Sequence, residues 1–127
     1  VAGYFIITGV QRIITPPPAP GCQAGAGTQA LTLDTDQAAI AATIAGVAAR
    51  HKLPRRAVTI ALAAALQESK LHNLSYGDRD SVGIFQQRPS QGWGPAVRLQ
   101  DPVYATTRFF AALTRVHGYA SMPVSRA

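Results

Sequence analysis

The chain has 127 residues, 47% of them hydrophobic and only 14% charged, which is enough for one domain with a buried core and too few for two. That composition excludes disorder throughout. Twelve Lys+Arg against six Asp+Glu give a net charge of +6, which suits an anionic partner such as nucleic acid, a membrane surface or a cell-wall polymer.

A single cysteine, Cys22, excludes an intramolecular disulfide framework, and with three scattered histidines it excludes a Cys/His zinc site. No metal and no cofactor is expected. Residues 1–14 are apolar apart from Gln11, Arg12 and a few small residues, too short a stretch for the roughly 20 residues that a membrane helix needs. They are read as the remnant of a membrane anchor or signal region, which places the domain outside the cytoplasmic membrane. Residues 15–30, TPPPAPGCQAGAGTQA, read as a linker, stiff at its prolines and flexible at its glycines. Ala19-Pro20-Gly21-Cys22 is a poor acylation signal, so Cys22 is expected as a solvated thiol.

The globular domain is expected over 31–127. Asp34-Thr35-Asp36 offers a helix N-cap and acids for the positive end of the helix dipole. A first helix is predicted over 36–51, with Ile40, Ile44 and Val47 at helical spacing. Pro54 opens a second helix over 54–72, apolar on nearly every side from Ala57 to Leu66. The ladder 57, 61, 64, 65 extends to Glu68, Leu71 and His72, which predicts that the chain's one glutamate lies at the buried C-terminal end of this helix. Residues 73–94 read as loops with at most a short hairpin. Asp101-Pro102 opens a third helix over 102–117, with Val103, Phe109, Phe110, Leu113 and Val116 on its apolar positions and Gly118 as C-cap. The expected class is all-α: a small helical domain with a long Gly/Asp-rich loop, behind a Pro/Gly-rich linker.

Burial and the negative end of a helix dipole both disfavour a charged Glu68, as a general acid for a glycosidic oxygen requires. The plainer role is an ion pair with Arg79 or Arg88 that holds the loop. Asp78 and Asp80 lie 10 and 12 residues further on, in position to return across a cleft as candidate second acids; each also suits an Asx turn. Tyr76, Gln86, Gln87, Asn73 and Trp93 are residue types that stack on sugar faces and bond to hydroxyl and acetamido groups. Phe85 is assigned to the core, Tyr76 and Gln86 to the cleft, and Trp93 to either. The basic residues are spread along the chain and no helix has a polar recognition face, which argues against nucleic acid.

Gln67-Glu68-Ser69, Gly77-Asp78-Arg79-Asp80-Ser81 and Gly83-Ile84-Phe85-Gln86-Gln87 together resemble the lysozyme-like superfamily of soluble lytic transglycosylases and goose-type lysozymes. There a Glu-Ser pair ends a buried helix and a Gly-Leu-Met-Gln element follows in the loop. Residues 67–94 are most similar to exported or membrane-anchored actinobacterial proteins that carry QES…GDRDSxGxFQQRPSQGWG. Asp101-Pro102 with Tyr104 in the helix that follows resembles the family's next segment. The resemblance implies a lysozyme-like fold and cleavage of the glycan strand of peptidoglycan, with Glu68 as general acid and then base. It implies that Ser69 and Gln86 support the site and orient the sugar; with Gln87, Tyr76, Trp93 and Tyr104 they make up the expected substrate-binding set. In a transglycosylase the substrate's own N-acetyl group and 6-hydroxyl complete the reaction, so one carboxylate suffices. A lysozyme of the goose type would need Asp78 or Asp80, and where those enzymes place an aspartate shortly after the glutamine this chain has Arg88. The family's downstream Tyr-Asn-Ala-Gly segment is not found by Ala127, so the domain is expected to be truncated there or minimal. The expected partner is peptidoglycan, bound by a monomer anchored through its N-terminal segment; the alternative is a non-catalytic peptidoglycan-binding module.

Overall fold

The computed structural model describes residues 21–25, 27 and 30–126; the N-terminal segment 1–14 lies outside them. In chain order the elements are strands β1 (Gly21–Ala24) and β2 (Leu31–Asp34), then helices α1 (Thr35–Arg50), α2 (Arg55–Ser69), α3 (Ala96–Leu99) and α4 (Pro102–Leu113). Single 3-10 turns occur at Pro89–Gln91 and Val124–Arg126. No described helix is long and apolar enough to cross a membrane.

The expected all-α class is corrected by the two strands. β1 and β2 form an antiparallel pair in which Gly21 faces Asp34 and Ala24 faces Leu31. Of the stretch 15–30 read as linker, residues 15–20 lie outside the described residues and Gly21–Ala24 form a strand. Gly-Cys-Gln-Ala has no β-branched, aromatic or large aliphatic residue, so its strand signal is weak. All four residues are exposed, Cys22 among them, and the ladder is built from main chain. Leu33 is the one buried side chain of the pair, and it joins the helical core.

Asp34 ends β2 and caps α1. Its carboxylate accepts from the Gln37 N–H at 2.8 Å while Gln37 Oε1 accepts from the Asp34 N–H at 2.9 Å, a reciprocal capping box. Ile40, Ile44, Val47 and Ala48 then form the buried stripe of α1. Against it lie Ala57, Ile60, Ala61 and Ala65 of α2 and Ala105, Phe110 and Leu113 of α4. The alanines let the backbones approach closely, and each fully buried branched side chain such as Ile44 contributes about 1.5–3 kcal/mol.

α2 ends at Ser69, three residues short of the expected limit. Lys70 and Leu71 both adopt left-handed backbone, with φ of 56° and 60°. That double reversal turns Leu71 into the core and leaves His72 half-buried beyond the helix. α4 likewise stops at Leu113, so Val116 lies outside it; Val116 and Val103 are exposed where apolar core positions were expected. Thr114 caps α4, and Gly118, at φ 75°, belongs to the turns that follow.

Candidate functional site

The buried row of α2 runs 57, 61, 65 and ends on Ser69. Glu68, one residue earlier, is turned off that row and is exposed, which corrects the expectation of a buried carboxylate. It stands instead with Ala64, one helical turn before it, on the wall of a pocket of about 240 Å³. Gln86 and Gln87 are the other polar residues of its lining. Phe85, Trp93 and Phe109 supply its rings, with Phe85 and Phe109 stacked at 4.3 Å between centroids and 11° between planes.

The loop after α2 is tied down so that these side chains meet. The Ser69 hydroxyl, itself buried, donates to Ile84 O at 2.7 Å, with Ala65 O at 3.1 Å. Val82 and Gln87 exchange two main-chain hydrogen bonds of 3.1 Å, closing a tight turn over residues 83–86. Gly83, at φ 78°, lets the turn lie against Leu99 O, where a Cβ would collide. Asn73 donates to Gln100 O at 2.6 Å and Gln100 to Leu74 O at 2.9 Å, tying the start of the loop to the end of α3.

Gln86 sits in left-handed backbone with φ of 48°, an unfavourable conformation for a side-chain-bearing residue. Its Nε2 donates to Tyr76 O and to Gly83 O, both at 3.1 Å. The side chain lies so close over Gly77 that a Cβ there would run into it. Gln87 is 3% exposed; its Nε2 donates to Ala105 O at 3.1 Å, and its Oε1 is buried with no partner among the described residues. Trp93, half-buried, is placed by Arg108, whose Nε donates to Trp93 O and Nη2 to Gly92 O, both at 3.0 Å.

Of the residues singled out from sequence, the structure brings Glu68, Gln86, Gln87 and Trp93 together and leaves others apart. Ser69 acts behind the pocket, through its bond to Ile84. Tyr76, expected in the cleft, is 71% exposed and meets Gln86 through its carbonyl, with its ring outside the pocket. Tyr104 packs its hydroxyl against Gly94 and carries the Arg98 guanidinium 4.1 Å above its ring, so it props the loop from outside. Asp78 is exposed, in a turn where its carbonyl accepts from the Ser81 N–H.

Asp80 is held elsewhere. Its carboxylate accepts from Arg88 Nε at 2.8 Å and from the Ser90 N–H and hydroxyl at 2.8 and 3.0 Å. The Arg88 guanidinium, followed by the Ser90 donors, pushes its pKa far below the ordinary aspartate range. Neither aspartate lines the Glu68 pocket, so neither takes the place expected of a second acid across the cleft. Arg88, named from sequence as a candidate partner of Glu68, pairs with Asp80 instead.

Sequence reasoning missed Ala64 and Phe109 as pocket walls, Arg108 as the clamp on Trp93, and Gly77 as the space for Gln86. Only Ala64 had a readable signal, its place one turn before Glu68 on the same helix. No protein-family model and no curated protein matches this chain.

Proposed function

We propose that the domain cleaves the glycan strand of peptidoglycan by a single-carboxylate, lytic-transglycosylase route, with Glu68 as the acid and then the base. The observation that carries this reading is the lining of the pocket: one carboxylate beside two amides and three aromatic rings. Aromatic faces and carboxamides are what a neutral, hydroxyl-rich sugar chain with acetamido groups requires of a site. Glu68 lies at an exposed edge, so a strand laid across the pocket would supply the cover that the protein itself does not.

The steps follow from one carboxyl group. Protonated Glu68 gives its proton to the glycosidic oxygen as the bond to the sugar's C1 breaks, while the N-acetyl oxygen of that sugar bonds to C1. The resulting Glu68 carboxylate then takes the proton of the 6-hydroxyl. O6 displaces the acetamido oxygen at C1, giving a 1,6-anhydro end and restoring the acid. Gln86 and Gln87, held by main-chain carbonyls, fix the wall of the pocket against which the sugar lies. Asp80, spent on Arg88 and Ser90, favours this route over a hydrolytic one that needs a second acid in the site.

Mass spectrometry of soluble fragments released from peptidoglycan tests the proposal. Wild-type protein and Asp78→Asn are both expected to release anhydro-ended fragments, and Glu68→Gln, nearly isosteric, to release none while folding normally. Reducing-end products would shift the assignment to a hydrolase. Full activity in Glu68→Gln would sink the mechanism, and binding without any fragments would leave a peptidoglycan-binding module.

A further inference from the structure

Trp93 lines both the Glu68 pocket and a second pocket of about 180 Å³. Arg108 and Arg115 line this second pocket together with two small residues of the same helical stretch, Ala111 and Ala112. No carboxylate lines it among the described residues. Arg108 spends Nε and one Nη on the loop carbonyls, which leaves Nη1 without a partner among the described residues. Arg115 makes no side-chain hydrogen bond and no ion pair there. Two uncompensated guanidiniums around a small hollow are suited to a carboxylate, which a guanidinium binds through paired N–H donors.

We propose that this pocket is a carboxylate subsite, taking an acidic substituent of the same glycan strand whose sugar occupies the Glu68 pocket, with which it shares Trp93. The proposal deepens the glycan-binding part of the function proposed above and rests on it. The acid has two sources on such a strand, the sugar's own lactyl carboxylate or the carboxylates of an attached peptide. The site's chemistry is the same for both.

Arg115 is the residue to change, because it is exposed and holds nothing else in place, whereas Arg108 also positions Trp93. In a Glu68→Gln background, which prevents cleavage, calorimetry compares three soluble probes. These are a neutral N-acetylglucosamine oligomer, a peptide-free strand with lactyl carboxylates, and a strand bearing peptides. At least one acidic strand is expected to bind about threefold to tenfold tighter than the neutral oligomer, the range for a solvent-facing ion pair or two. Arg115→Gln should erase that preference and leave the neutral oligomer within about twofold; the acidic strand that responds identifies the source of the acid. The subsite is overturned if Arg115→Gln weakens neutral and acidic strands alike, if it changes neither, or if no strand binds. Arg115-dependent binding by a wild-type protein that releases no fragments would keep the subsite and sink only the cleavage mechanism.

Discussion

At the scale of single residues, the loop after α2 separates two kinds of carboxylate. Glu68 has open space before it and Asp80 has three donors around it. Because the folded state holds Asp80 well below its ordinary value of 3.8, it binds fewer protons there than the unfolded chain does at acid pH. Stability from this group is therefore fully present above the ordinary aspartate range and is lost as pH falls through it toward the folded value. Urea midpoints of the wild type and Asp80→Asn should differ most above about pH 5 and converge as pH is lowered toward about 2. A difference that stays constant across that range would mean the charge on Asp80 contributes nothing. Gln86 is the converse case, where the surroundings hold an unfavourable backbone. Its φ of 48° persists because its amide is bonded to Tyr76 O and Gly83 O, and Gly77 leaves it the space.

At the scale of elements, the three long helices were legible because local chemistry and tertiary packing agree there. Asp34 and Asp101 cap their helices through side-chain oxygens, and the apolar spacing of Ile40, Ile44 and Val47 is the stripe that becomes buried. The end of α2 was not legible. A helix apolar on nearly every side does not say which row faces inward, and the i+4 row through 57, 61 and 65 selects Ser69 over Glu68 by one residue, about 100° of helix. The exit through left-handed Lys70 and Leu71 was equally hidden, since neither residue type prefers that conformation. β1 was hidden because Gly-Cys-Gln-Ala has no β-branched or large apolar side chain; β2, Leu-Thr-Leu-Asp, alternates over only four residues, and a lone two-stranded hairpin is marginal by itself. Leu33 is what docks this one. Leu33→Ala should cost about 2–3 kcal/mol, toward the low end for a leucine at the margin of a core. It should also speed amide exchange in β1 ahead of α1, α2 and α4. Retained protection in β1 would mean that the hairpin is held by something other than Leu33.

At the scale of the whole molecule, charge is the dominant unpaired quantity. The chain carries +6, yet the described residues form only two ion pairs, Arg88 with Asp80 and His72 with Asp34, the second requiring a protonated imidazole. Most of the cationic side chains therefore face solvent singly, and their fields sum beyond contact range. An anionic wall polymer would feel that sum before any sugar reached the Glu68 pocket, so attraction to the polymer and recognition of the sugar should respond differently to salt. The screening length falls from about 10 Å at 0.1 M to about 3 Å at 1 M, which removes the long-range attraction and spares hydrogen bonds and stacking inside a pocket. Sedimentation of Glu68→Gln with insoluble peptidoglycan is thus expected to fall severalfold between about 0.05 and 0.5 M NaCl, by screening of the distributed charge. Its affinity for a short neutral N-acetylglucosamine oligomer should stay within about twofold over the same range, since no charge on that ligand is there to be screened. Salt-independent sedimentation would remove the basic surface from the mechanism and leave the pocket alone to find the wall. A neutral oligomer lost in step with the polymer would instead mean that salt acts on the fold or on the pocket's own geometry.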